Sequence, residues 1–363
     1  MPRRQRTITP ASARFSRTLK LGILWAVKLS GGFYIARRYN RGRVRILCYH
    51  GVWIADDAFG GDQMFIRPQT FASRLRLLNK LNFKVISLDD AAEGLQRHKV
   101  LPHDPVVITI DDGWYGTFAH MVPALRQHGM PATLYCDSAN LLSGTAVLHV
   151  MARYLANIHE AESSSDPKVS RLISVATDPA ASNAVKQDAL NALAKTVGID
   201  LERYVQTRAF AYMSPAELKR AAAEGLSIEL HTHNHTLHNF EPERIVDEIE
   251  TNRTVLGQVL GREPRSFAHF CYPSGVTTPG VQNTLERLGI RSATTLTAGL
   301  ATPADDPLLL PRIIDGDQRT ALEFEAELCG VSALLRTVRQ WLNQYRPVIT
   351  RPFQYARTQS SPY

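Results

Sequence analysis

The sequence predicts an α/β protein, a barrel or an open α/β sheet, with a helical insertion and a basic amphipathic segment at its N-terminus. Three observations predict it. Short apolar runs bounded by turn residues alternate with helical patterns about seven or eight times. Those runs lack strict polar alternation, as parallel strands buried on both faces do. Four of them lead directly into reactive or geometry-setting residues.

The chain has 363 residues, 44% of them hydrophobic, enough for one large barrel or two ordinary domains. Its formal charge of +8 is unevenly spread. Residues 1–45 hold twelve Arg and Lys and no acid, and the first acid is Asp56. The remainder, 30 basic against 34 acidic residues, is net negative, so the positive charge belongs to an arm over residues 1–43. Arg17 to Arg38 reads as a basic amphipathic helix with Leu21, Leu24, Trp25, Leu29 and Phe33 among its apolar residues. Such a helix suits an anionic membrane surface; a solvated extension is the other reading. The apolar run Leu21–Val27, flanked by Lys20 and Lys28, is far too short to span a bilayer, and no small-x-small cleavage site follows it. The expected location is therefore cytoplasmic, peripheral at the inner face of the membrane. Nucleic-acid binding is not expected, for no recognition fold or aromatic-basic interleaving is present. Cys48, Cys136, Cys271 and Cys329 are far apart and form no CxxC pair, so they read as small apolar fillers.

The barrel is expected over residues 44–330. Its strands are read at Val44–Tyr49, Lys84–Leu88, Val106–Ile110, Thr133–Cys136, Leu226–Leu230, Ser266–Tyr272, Ser292–Thr295 and Leu308–Leu310. Pro68–Leu81 opens with Pro and carries apolar residues at helical spacing. Ser214–Glu224 has Ser at its N-cap position, Pro next and Gly225 beyond its end. Pro242–Leu260 and Val281–Leu288 behave likewise. Residues 141–205 are helical in pattern with a polar break at 161–168, an insertion or cap between two barrel strands. Residues 331–363 hold one more helix and a Pro-rich, polar tail.

The chemistry collects at strand ends. VRILCY is followed by His50, VVITI by Asp111, Asp112 and Gly113, LSIEL by the run HTHNHTLH, and SFAHFCY by Pro273, Ser274 and Gly275. Carboxyl ends of parallel strands share one face, where sites are built. Asp-Asp-Gly alone is an ordinary turn; beside histidines it becomes a carboxylate supply. Two imidazoles and one carboxylate hold a catalytic metal and leave a position open. His231 and His235 converge if the segment turns helically, leaving His233 and His238 supporting or exposed. His231 with His233 would instead match the strand-end His-x-His of metal phosphoesterases and amidohydrolases, which expect further downstream His and Asp ligands. A non-catalytic, membrane-associated carbohydrate-binding protein is the rival from another class.

ITIDDG (Ile108–Gly113) resembles the TFDDG signature of the polysaccharide deacetylases. HTHNH (His231–His235) is similar to their H-(S/T)-x-x-H motif, and FCYPSG (Phe270–Gly275) to their third motif; the three occur in the family's order. The resemblance covers about residues 44–315 and implies a distorted (β/α)7-type barrel and hydrolysis of N-acetyl groups from an aminosugar with a divalent metal, zinc or another transition metal. Carried over, Asp111 is the general base, and Asp112, His231 and His235 are metal ligands. Tyr272, Pro273 and Gly275 support the substrate or transition state, a backbone N–H near Tyr272 helping to hold the oxyanion. Two departures stand out. The family's late general-acid His has no counterpart after Pro311. The Tyr49-His50-Gly51 segment instead resembles a permuted branch acting on biofilm exopolysaccharide, in which that His comes first. Cys271 stands where the third motif often has Arg, and Arg312 is the candidate replacement cation beside Asp111. The substrate implied is an N-acetylated exopolysaccharide, lipid-linked precursor, peptidoglycan or small glycoside, with a precursor favoured by the expected location.

Overall fold

The structure is a computed structural model, and it describes residues 10–55, 65–158, 166–178, 180–237, 241–277 and 280–336. Its strands are β1 (Arg45–Tyr49), β2 (Gly51–Val52), β3 (Phe65–Ile66), β4 (Lys84–Val85), β5 (Pro105–Asp112), β6 (Ala132–Cys136), β7 (Leu226–Leu230), β8 (His269–Cys271), β9 (Ser292–Ala298) and β10 (Leu310–Ile314). The main sheet runs β1-β10-β9-β8-β7-β6-β5-β4, and β1 also pairs with β5. Seven parallel strands therefore close into a ring, with β4 attached outside it. At the seam Leu47 stands beside Ile108 on one side and Ile313 on the other. The (β/α)7-type barrel implied by the family resemblance is the fold observed, and the open sheet is not.

Helices pack around it: α1 (Pro10–Leu29), α2 (Gly32–Tyr39), α3 (Pro68–Lys80), α4 (Leu88–Leu95), α5 (Val122–His128), α6 (Ser138–Ser143), α7 (Leu148–Ile158), α8 (Pro167–Thr177), α9 (Asn183–Val197), α10 (Glu202–Thr207), α11 (Pro215–Ala223), α12 (Pro242–Leu260), α13 (Val281–Arg287) and α14 (Ala321–Cys329). Ser214 and Glu217 form a reciprocal cap on α11, as do Thr320 and Glu323 on α14; such a cap is worth about 1 kcal/mol. The main core, built from Leu47, Ile108, Ile110, Leu134, Ile228 and Phe270 among others, lies between barrel and helices.

Several predicted boundaries move for identifiable reasons. KVISL is strand only at Lys84–Val85, because the Ser87 hydroxyl accepts from the Asp90 N–H at 3.0 Å and starts α4. Ser266–Tyr272 shrinks to three strand residues after a 3-10 turn over Pro264–Ser266. The last strand begins at Leu310 rather than Leu308, which puts Arg312 inside it. β5 runs through both aspartates instead of ending before them; pairing continues to Asp112 opposite Cys136.

Helices α7 to α10 fill the connection from β6 to β7. They enclose a second apolar cluster with Leu155, Leu190, Leu193 and Phe210 at its centre. Trp53, Phe65 and Trp114 join that cluster from segments following β1 and β5 and from β3. The insertion is thus clamped to the face where the strands end.

The N-terminal segment differs from the single helix over Arg17–Arg38. It breaks at Gly31, whose φ of +80° suits glycine, into α1 and α2, bent by 78°. Leu24, Phe33 and Ala36 pack on Leu322, Ala326 and Cys329. Lys20 and Lys28 pair with Glu323 and Glu325 at 2.8 and 2.6 Å. Among the described residues no single helix is long and apolar enough to cross a membrane.

Candidate metal centre and catalytic site

Residues from four elements meet at the carboxyl ends of the strands. Asp112, at the end of β5, turns its Oδ1 toward the His235 Nε2 at 3.1 Å and the His231 Nε2 at 3.4 Å. The two imidazoles sit edge to face, their centroids 4.9 Å apart. The spacing that looked helical is a tight turn: Thr232 and His235 have φ of +65° and +53°. The Thr232 hydroxyl accepts the Thr236 N–H at 3.2 Å and shapes it. Asp112 itself has φ of +78°, and Ser274 has +54°. Four of the eight non-glycine residues with positive φ among those described thus fall in the three motifs, where strain is tolerated because neighbours fix it.

The side chains fit a metal. Asp112 Oδ1 is buried and has no hydrogen-bond partner, while its Oδ2 is held by the Trp114 indole N–H at 2.7 Å. His231 Nδ1 lies 2.8 Å from the Cys271 carbonyl. A carbonyl only accepts, so that nitrogen carries a proton and Nε2 is the ring atom turned toward Asp112. Asn252 accepts the His231 N–H at 3.1 Å, fixing the backbone as well. The ligand atoms of Asp112, His231 and His235 all lie within 4.8 Å of one another, a two-imidazole, one-carboxylate set. Burial opposes charge on both members of the pair. Nevertheless His231 and His235 hold Asp112 well below the usual carboxylate range, and Cys271, Asp112 and Asp111 hold His231 well above the usual imidazole range.

Asp111 occupies a different surround. Arg312 clamps it with Nη1 on Oδ1 and Nη2 on Oδ2, both at 2.7 Å. Against the cost of burial, this guanidinium, aided by His50 and His231, lowers the Asp111 carboxyl to about 2. The Cys271 and Cys48 thiols lie 3.5 and 3.6 Å from Oδ2. The cysteines read as apolar fillers therefore include two that line the carboxylate. Arg312 Nη2 also lies 3.1 Å from the Cys271 sulfur. The small side chain where the third motif often has Arg leaves room that an Arg from the last strand fills. His50 Nε2 stands 3.7 Å from Asp111 Oδ2, with the ring partly exposed.

Other expected residues land elsewhere. Tyr272 packs edge-on against Phe270 in the main core, and its N–H is taken by the Thr294 carbonyl. The Gly275 N–H is taken by Tyr272. Pro273 has no N–H, which leaves Ser274 as the amide of that turn with no internal partner among the described residues. Gly275 has φ of +67°, and a Cβ there would meet Leu296 at 2.7 Å. His233 Nδ1 contacts the Ser138 hydroxyl at 2.8 Å and lies outside the ligand set, so the His231–His233 pairing is not the one the fold assembles. His269, the remaining downstream His, opens β8 and is held by Ser292 and Asp89 at the opposite end. His238 lies outside the described residues.

Sequence reading missed Asp137, Trp114 and Asn252. Asp137 follows the run at Thr133–Cys136 directly, the same strand-end signal used for the other residues. Its Oδ1 caps α6 at 3.0 Å. Burial, opposed by His235 and reinforced by Asp112, raises its carboxyl to about 6.

Fold and site together define a parallel barrel with a metal-type carboxylate–imidazole centre where its strands end. Residues 170–293 match the family model described as polysaccharide deacetylase. No curated protein sequence matches the chain. Among solved structures, the deacetylase PplD of Streptococcus pyogenes, in complex with acetate, is similar with a TM-score of 0.54 at 16% identity, covering 79% of this chain and 99% of that one. IcaB from Ammonifex degensii gives 0.54 at 18% identity, covering 79% and 97%. A de-N-acetylase from Aggregatibacter actinomycetemcomitans gives 0.52 at 13%, covering 78% and 99%. The barrel is similar to those of these deacetylases, and the stretch matched by the family model holds the second and third motifs.

Proposed function

We propose that the protein is a metal-dependent N-deacetylase that hydrolyses the acetamido group of an aminosugar-containing saccharide. The observation that carries this reading is the buried, unpartnered Asp112 Oδ1 facing two imidazole Nε2 atoms, with a second carboxylate beside it that is committed elsewhere. Asp112, His231 and His235 would hold a divalent metal, zinc being the ion such a donor set favours. Bound there, it supplies Lewis-acid polarisation of the acetamide carbonyl and acidifies a water.

The chain's own residues do the rest. Asp111 accepts the proton of the attacking water at Oδ2, while Arg312 keeps the carboxylate ionised and aimed. His50, protonated, donates to the departing amine. The Ser274 N–H is the amide left to stabilise the oxyanion. His50 in this role follows the branch in which the acid precedes the aspartates.

The carrying test is acetate release from N-acetylglucosamine oligomers, with metal content measured on the same sample. Chelation and Asp112→Ala should each reduce release by more than about 100-fold, since loss of a ligand exceeds loss of an outer partner. A metal-free active protein, or an undiminished Asp112→Ala, would overturn the reading.

The N-terminal pair supports a peripheral contact with an anionic membrane. Its inner face is spent on α14. Its outer face exposes Leu19, Ile23, Trp25, Leu29, Tyr34 and Ile35, and the segment carries no acid. A pair fastened to the barrel side by core contacts and two ion pairs suits lying on a bilayer rather than crossing it.

A further inference from the structure

A cleft of about 740 Å³ opens within the connection from β6 to β7, between α6 and the helices of the insertion, and nothing in the proposed chemistry uses it. Its wall includes Asn140 from α6, His149 from α7, Asn183, Lys186 and Gln187 from α9, and Arg208 just past α10. Its inner end touches residues that flank the candidate metal centre. Ala139, which lines it, donates its N–H to the His233 carbonyl at 2.9 Å, and Asn140 donates to Asp137 at 3.0 Å. His149 stands between the two regions, within electrostatic reach of Lys186 and Arg153 as well as Asp112 and His235.

Among the described residues the lining contains no carboxylate. Arg208 is already paired with Glu217 at 2.6 Å. Lys186 has no carboxylate partner among the described residues, so its charge is the uncompensated one in the cleft. An acid-free cleft with a free ammonium beside a site for a neutral amide is complementary to a substrate carrying negative charge on its neighbouring unit.

We infer that this cleft binds an anionic group attached next to the N-acetylated sugar, held by Lys186 with amide and imidazole donors from Asn140, Gln187 and His149. The inference rests on the deacetylase reading and names the substrate class: a saccharide bearing a phosphate ester or a uronate, which share the anionic oxygen the cleft recognises.

Two measurements test it. Acetate release is compared on neutral N-acetylglucosamine oligomers, a nucleoside-diphosphate N-acetylglucosamine and an N-acetylated, uronate-containing oligosaccharide. The wild type should prefer at least one anionic acceptor. Lys186→Glu should raise KM for that acceptor about ten-fold or more, with kcat and the neutral acceptor unchanged; the acceptor affected tells phosphate from uronate. Independently of turnover, calorimetric binding of the same sugars to the Asp112→Ala protein should weaken with Lys186→Glu. If no acetamide is cleaved but Lys186-dependent anion binding persists, the cleft stands and the deacetylase reading fails. If neutral and anionic sugars bind alike and Lys186→Glu changes neither, the cleft inference is overturned.

Discussion

Two adjacent aspartates do different work because their surroundings differ. Arg312 neutralises both oxygens of Asp111, whereas Asp112 keeps one oxygen bare between two imidazoles. That bare oxygen shares a proton with His231, whose folded value lies well above the usual imidazole range. A raised value means the pair stabilises metal-free protein fully below about pH 6.5, and this contribution is lost as pH rises through the raised value. Metal binding must expel that proton, so its affinity changes in the opposite sense. Calorimetric titrations at about pH 6 and about pH 8, in buffers of different ionisation enthalpy, should show proton release and binding at least about ten-fold tighter at the higher pH. Equal affinities with no proton release would place the metal away from His231. Asp111, Asp112, His231 and His235 were legible because each follows an apolar run in a recognisable motif. Asp137 obeyed the same rule without a motif and passed unnoticed. Trp114 acts through one hydrogen bond and Asn252 through three, to His231, Cys136 and Ser138, and sequence gives no sign of which atom a buried indole or amide will reach.

Among the elements, the insertion and the metal centre are one mechanical unit. The Trp114 ring stacks on Tyr212 at 4.5 Å and meets Phe65 at 5.1 Å, within the insertion's own core. The same indole N–H positions Asp112. Trp114→Phe keeps the aromatic packing and removes the bond, so metal affinity should fall about 10- to 100-fold while the folded structure persists. Competition with a chromogenic chelator measures the first and near-ultraviolet circular dichroism the second; unchanged affinity would limit Trp114 to packing. The helical character of residues 141–205 was readable from periodicity, yet its attachment was not. The clamp uses Trp53, Phe65 and Trp114, which lie far from it in sequence. Likewise the break at Gly31 could not be separated from a continuous helix by apolar spacing alone; the docking of Phe33 and Ala36 on α14 decides it.

At the scale of the molecule, α1 and α2 of the basic N-terminal segment leave Trp25, Leu29 and Tyr34 exposed, the basis of the proposed membrane contact. Co-sedimentation should show binding to phosphatidylglycerol vesicles, little to phosphatidylcholine vesicles, and release by salt. Trp25→Glu with Leu29→Glu, both exposed, should abolish binding and leave acetate release from soluble oligomers intact. Equal binding to both lipids, or none, would refute the membrane contact. A concentration-dependent dimer lost in the same variant would assign the face to a second copy of the chain. Barrel closure was implied by the family resemblance, since strand count alone left an open sheet possible, and neither told which strands would make the seam. That seam is β1 between β5 and β10, and it brings His50 from the first barrel strand and Arg312 from the last to either side of Asp111. A chain emerging from the ribosome therefore lacks its acid's partner geometry and its guanidinium clamp until some 312 residues have been made. Copies that end before Arg312 lack the clamp on Asp111, so the proposed hydrolysis is expected only of molecules that have closed the ring.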